Sequence, residues 1–118
     1  MPVLPIGVTG EVVFDNSAPP FSGATAHIVL EETTYADAAA VAVSRLDLPE
    51  VSFQSGREPL AFASPTVQLD LSKRYEIRVH IDLDADGRIG PGDQITTETY
   101  PVPVFGGRAH LRLRLRRI

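Results

Sequence analysis

Residues 82–93 read Asp-Leu-Asp-Ala-Asp-Gly-Arg-Ile-Gly-Pro-Gly-Asp, with carboxylates at positions 1, 3, 5 and 12 of the segment and glycine at 6. A hard cation can draw its oxygen ligands from one continuous loop in this order. The glycine permits the sharp turn, and the residue at position 7 offers its backbone carbonyl. The expected ligands are Asp82, Asp84, Asp86, Arg88 through its carbonyl, and Asp93, around one structural calcium ion. Magnesium fits less well, because it requires a compact octahedral shell and keeps several waters. Ile89 is expected to anchor the loop to the core, and Pro91-Gly92 argues against a helix leaving the loop, so it should join two strands. The competing reading is an acidic hairpin turn, since Asp and Gly populate turns for backbone reasons alone.

Other chemistry is weaker. His27, His80 and His110 take outward positions on their expected strands, and would meet only if those strands are neighbours. Separate surface histidines are the simpler reading; a transition-metal or catalytic triplet is the alternative. Arg112, Arg114 and Arg116 alternate with Leu111, Leu113 and Leu115, which predicts a basic ridge over an apolar face. The ridge reads as a solvated sheet face, an edge strand protected by charge, or a docking surface for an acidic partner. The chain contains no G-x-S-x-G elbow, H-E-x-x-H pair or phosphate-binding glycine loop, so nothing in it points to catalysis.

The elements that must hold these groups are strands. Tyr75 to Leu83 is apolar at odd positions and polar at even ones, so a core face and a solvent face are defined, with Asp82 and Asp84 on the polar side. Similar patterns run over Gly10 to Asp15, Thr25 to Glu31 with Ala26, Ile28 and Leu30 inward, and Val41 to Leu46. They continue at Leu60 to Phe62, Val67 to Leu71, Ile95 to Tyr100 and Ala109 to Leu115. Asn16 to Gly23 and Gln54 to Pro59 carry turn residues. Ala36 to Ala40 has a minor reading as a short helix. The sum is an all-β fold, an antiparallel immunoglobulin-like or transthyretin-like β-sandwich of seven to eight strands. It fills one domain over residues 1–118, with residues 1–6 loosely ordered or disordered.

Composition sets outer limits. At 118 residues the chain suits one modest core, and eleven basic against fifteen acidic side chains leave a net charge of -4, which argues against a nucleic-acid binder. Every acid lies at or before Glu98 and five arginines lie at or after Arg108, so an acidic body ends in a basic strand. The chain has no cysteine, hence no disulfide, thiolate metal site or thiol nucleophile. The first residues lack the basic and apolar regions of a signal peptide, and no run is long enough to span a membrane.

Gly10 to Phe14, Val29 to Thr33 with Ala36-Asp37-Ala38, Pro59 to Phe62, Tyr75 to Val79 and Thr97 to Val102 together resemble the YbaY/YscW family, over about Gly7 to Val102. Those are bacterial envelope lipoproteins, some acting as pilotins or chaperones for a secretin of type III secretion. The resemblance implies the sandwich fold, a protein partner and a periplasmic or envelope location; without an export signal the alternative is cytoplasmic. The family's lipid-modified cysteine is not in this sequence. The resulting expectation is a non-enzymatic interaction or assembly module with one calcium loop, its partner meeting a sheet edge or the basic last strand. A small hydrolase or carbohydrate-binding domain using the acidic loop and His80 is the alternative.

Overall fold

The computed structural model of the chain describes all residues except Met1, Pro2, Ala36, Ser55, Arg57, Glu58, Phe105 and Gly106, and the backbone alone of Gly107 and Arg108. Eight strands follow one another: β1 Val3–Val13, β2 Phe21–Glu32, β3 Val41–Phe53, β4 Leu60–Ala63, β5 Val67–Asp70, β6 Tyr75–Asp82, β7 Gln94–Thr96 and β8 Gly107–Arg117. They hydrogen-bond in the order β3-β2-β6-β7-β8-β1-β4, with β5 also on β1. The result is a curled, mostly antiparallel sheet in the form of a half-barrel, which bears out the expected all-β fold. The β1–β8 pair is parallel, from Ile6 opposite Gly107 to Val13 opposite Arg114.

Period-two burial builds each layer. Ala26, Ile28 and Leu30 of β2 and Tyr75, Ile77, Val79 and Ile81 of β6 turn inward, as their alternation predicts. Leu113 and Leu115 join them from β8, while Arg112, Arg114 and Arg116 face solvent. Phe14, Phe21 and Phe53 pack with ring centroids 5.1 to 6.0 Å apart and close one end of the core. Gly10 marks the tightest approach: a Cβ there would lie 2.3 Å from the Leu111 carbonyl oxygen and 2.9 Å from the Phe62 ring. Only glycine lets β1 lie this close to both β8 and β4.

Several expectations need correction. The first strand begins at Val3, and Leu4 to Ile6 pair with β5 while Ile6 is buried, so residues 3–6 belong to the folded body. No helix occurs among the described residues, and 37–38 form a turn; Ala36 of the Ala-rich segment lies outside them, as do Ser55, Arg57 and Glu58 of the expected loop. The strand expected over Ile95 to Tyr100 is limited to Gln94–Thr96. Beyond it the chain follows β6 through bonds from Ile77 N to the Tyr100 carbonyl and from Val102 N to the Tyr75 carbonyl. The basic strand is not an edge, because β8 pairs with β1 along most of its length and with β7 at its end. Among the described residues the sheet ends in β3 on one side and in β4 and β5 on the other.

Candidate metal centre between the sixth and seventh strands

The acidic loop leaves β6 at Asp82 and enters β7 at Gln94. Alternation along β6 predicts an outward Asp82, yet its side chain is fully buried. The loop folds back over it: Gly87 N donates to Asp82 Oδ2 at 2.7 Å, and Gly87, at φ +80°, makes the turn that aims this N–H. Ala85 takes a left-handed φ of 55°, unusual for a residue with a Cβ, at the fourth position of the loop. Asp86 caps its own turn through Arg88 N at 2.8 Å. Ile89 is exposed and does not anchor the loop.

Asp93 performs that anchoring instead. Its carboxylate accepts hydrogen bonds from Leu83 N (3.1 Å) and Gly90 N (3.1 Å), and from His80 Nε2 at 2.7 Å. The C-terminal segment pins the same corner, with Ile118 N donating to the Asp93 carbonyl and Gly92 N to the Ile118 carbonyl.

Of the five residues expected to hold a cation, Asp82, Asp84 and Asp86 come together, each offering a carboxylate oxygen within 4.8 Å of the others. Asp93 is engaged by the backbone and His80, and Arg88 contributes its N–H to Asp86. Asp82 Oδ2 is satisfied, whereas Asp82 Oδ1 is buried with no hydrogen-bond partner among the described residues. Burial pushes the Asp84 carboxyl above its ordinary value, and so do its contacts with Asp82 and Asp86, the effect of carboxylates crowded without a counter-charge.

Two histidines that alternation placed on the surface border this loop. His27 of β2 lies directly opposite His80 of β6 in the antiparallel register, with ring centroids 5.5 Å apart. His27 donates from Nε2 to Asp82 Oδ2 (2.9 Å) and from Nδ1 to Asp47 Oδ1 (2.6 Å), and Asp47 is held in turn by Arg45 Nε. Burial opposes the charged form of His27, but the bonds to Asp47 and Asp82 outweigh it and raise its pKa. Burial likewise raises Asp82; His27, Gly87 N, Asp84 and His80 together reverse that and hold it down at about 2. A cleft of about 210 Å³ opens above the pair, lined by both histidines, Arg45, Arg78, Gly87, Ile89 and apolar side chains of β2, β6 and β7. This is below the roughly 300–1,000 Å³ of pockets that enclose organic ligands.

His110 stands apart, bonded through Nδ1 to Thr9 Oγ1 at 3.0 Å, so the three histidines form no triplet. On the basic ridge, Arg112 pairs with Glu11 across the β1–β8 register at 3.1 Å, the Arg114 backbone N–H donates to the Tyr100 hydroxyl, and Arg116 lies near Asp15. The missed site residues are Asp47 and Arg45, separated from His27 by about twenty positions and joined to it only by the β2–β3 register.

No family model matches this chain, and no curated protein matches it in sequence. Among solved structures the chain is similar to an alternative pilotin from the type II secretion system of Vibrio cholerae, at 21% identity and a TM-score of 0.72. The likeness covers 99% of this chain and 98% of that one. It agrees with the pilotin-like part of the resemblance read from the sequence; membership of the YbaY/YscW family does not follow from it. From end to end, this chain has the fold of a secretion pilotin.

Proposed function

We propose that this protein is a non-enzymatic, envelope-associated interaction module that binds a subunit of a bacterial secretion machine. The observation that carries this reading is the end-to-end fold likeness to a pilotin. The site chemistry supports it. The imidazoles and carboxylates of the loop are bonded to one another and to backbone, and the cleft above them suits ions and water better than a substrate. The ridge of Arg112, Arg114 and Arg116 is the surface offered to the partner, through charge.

Calcium is part of the same proposal, as a structural ion at Asp82, Asp84 and Asp86. The buried Oδ1 of Asp82, which has no hydrogen-bond partner among the described residues, and the approach of Asp84 and Asp86 to the Asp82 carboxylate support it. An ion bound to the folded state alone adds RT ln(1 + [L]/Kd), or about 2.7 kcal/mol at a hundredfold excess over Kd. Calcium should therefore raise the melting temperature of metal-stripped protein, and the Asp84→Asn, Asp86→Asn double variant should lose that increase while remaining folded in EDTA. An unchanged calcium response in the double variant would remove the ion from the proposal.

The partner is tested by titrating the protein with the C-terminal segment of the secretin encoded in its own genome. Binding of micromolar strength or tighter, weakened by Arg114→Glu with Arg116→Glu, is the expected result. No binding at concentrations where the folded protein is monomeric would reject the secretion role.

A further inference from the structure

The His27–His80 pair has a different chemistry from the acidic loop beneath it. Calcium takes oxygen ligands; imidazole nitrogen beside a carboxylate suits zinc, copper and nickel. His27, His80 and Asp82 each offer a ligand atom, all within 4.8 Å of one another, and the three come from adjacent strands in fixed register. A tetrahedral zinc shell with bonds of about 2.0–2.1 Å needs ligand atoms roughly 3.3 Å apart, and His27 Nε2 already lies 2.9 Å from Asp82 Oδ2.

The surroundings resemble those of a metal site more than those of a chance pair. Each imidazole has one nitrogen tied to a carboxylate outside the trio, His27 Nδ1 to Asp47 (2.6 Å) and His80 Nε2 to Asp93 (2.7 Å). Such bonds fix ring orientation and tautomer in metal-bound histidines. Asp47 is itself braced by Arg45, and Asp93 by the backbone N–H groups of Leu83 and Gly90. Asp82 is fully buried and both histidine side chains are only 14% exposed, so the trio is preorganised. The cleft leaves one side open to solvent.

We propose that His27, His80 and Asp82 form a binding site for one divalent transition metal of the zinc class, with a water from the cleft as fourth ligand. The ion takes the place of the proton that His27 Nε2 shares with Asp82 Oδ2. Asp47 and Asp93 are positioning residues. The site shares Asp82 with the calcium loop but not its other ligands, so the two ions are separable by mutation and the proposal stands whether or not calcium binds.

The test is zinc titration of metal-stripped protein at neutral pH by calorimetry, with zinc chloride alone as the ligand, and cobalt(II) as a visible-absorption probe of tetrahedral geometry. One equivalent should bind with a Kd in the micromolar range or below. His27→Gln and His80→Gln should each weaken it at least tenfold, while His110→Gln, at a histidine remote from the site, leaves it unchanged. Should the histidine variants fail to fold, ring nitrogen shifts of the wild-type histidines supply the readout: zinc should move those of His27 and His80 and leave those of His110 in place. Absence of stoichiometric binding, ring shifts confined to His110, or affinity unaffected in both folded histidine variants would overturn the assignment.

Discussion

Asp15 shows how much one exposed-end carboxylate can do in this fold. Its Oδ1 accepts bonds from Ser17 N and Ser17 Oγ, closing the turn after β1, and its Oδ2 accepts one from Arg117 N at the end of β8. The Ser17 hydroxyl, then the backbone N–H groups of Arg117 and Ser17, lower its pKa from 3.8 to about 2. A depressed carboxyl contributes stability that is complete above its unfolded value and lost as pH falls through the folded one. Asp15→Asn should therefore cost about 1–2 kcal/mol at neutral pH, with the deficit shrinking as pH drops below 3.8 toward 2. Urea unfolding of both proteins across that range checks it, and a deficit independent of pH would refute the role given to the charge. The Asp82 to Asp93 pattern and the turn at Gly87 were readable in the sequence, because ligand order and positive φ are local properties. The burial of Asp82 was not, since period-two alternation cannot anticipate a loop folding back over the last residue of its own strand.

At the scale of elements, β1 is the strand on which the others depend, with β8 on one side and β4 and β5 sharing the other. Gly10→Ala would drive a methyl into the Leu111 carbonyl and the Phe62 ring. We expect a loss of about 3 kcal/mol, since overpacking against backbone cannot relax by side-chain movement. A melting temperature within a degree or two of wild type would show that β1 can shift. Leu113→Ala, which removes a fully buried side chain from the partner strand, should cost about 2–5 kcal/mol. The edge strand β3 is protected differently. Among the described residues its strand partner is β2; it exposes Val41 and Val43 and carries Pro49, which lacks an N–H, beside Glu50 at φ 58°. Proline and local backbone irregularity blunt an edge against unwanted pairing. Pro49→Val should thus raise concentration-dependent self-association in light scattering, and an unchanged monomer would assign the protection to Glu50 or to charge. These strands were visible as alternating segments; β1 was seen only from Gly10 onward because Pro5 and Gly7 mask its pattern before that point.

The whole molecule is closed by contacts between its two ends in sequence. The parallel β1–β8 pair joins Ile6–Val13 to Gly107–Arg114, and Arg117 and Ile118 then tie β8 to Asp15 and to the acidic-loop corner at Gly92 and Asp93. Pairings this distant in sequence form late and slowly. Removing residues 113–118 should accordingly abolish the cooperative unfolding transition rather than trim a terminus, as monitored by near-ultraviolet circular dichroism. Retention of a sharp transition would mean that the first seven strands fold alone. If the truncated chain is molten, binding of calcium and of zinc should be lost with it, because both sites share a corner that β8 completes.

Alternating side chains and turn residues were sufficient to establish an all-β chain, most of its core positions and one acidic loop with cation-binding order, because each depends on a few consecutive residues. Strand order, the parallel closure by β8, and the meeting of His27, His80, Asp47 and Asp82 were settled only in the folded sheet. A strand pattern shows which face is buried without showing which neighbour lies across it. One step of register between β2 and β6 would turn His27 and His80 to opposite faces, and no feature of either strand alone encodes that alignment.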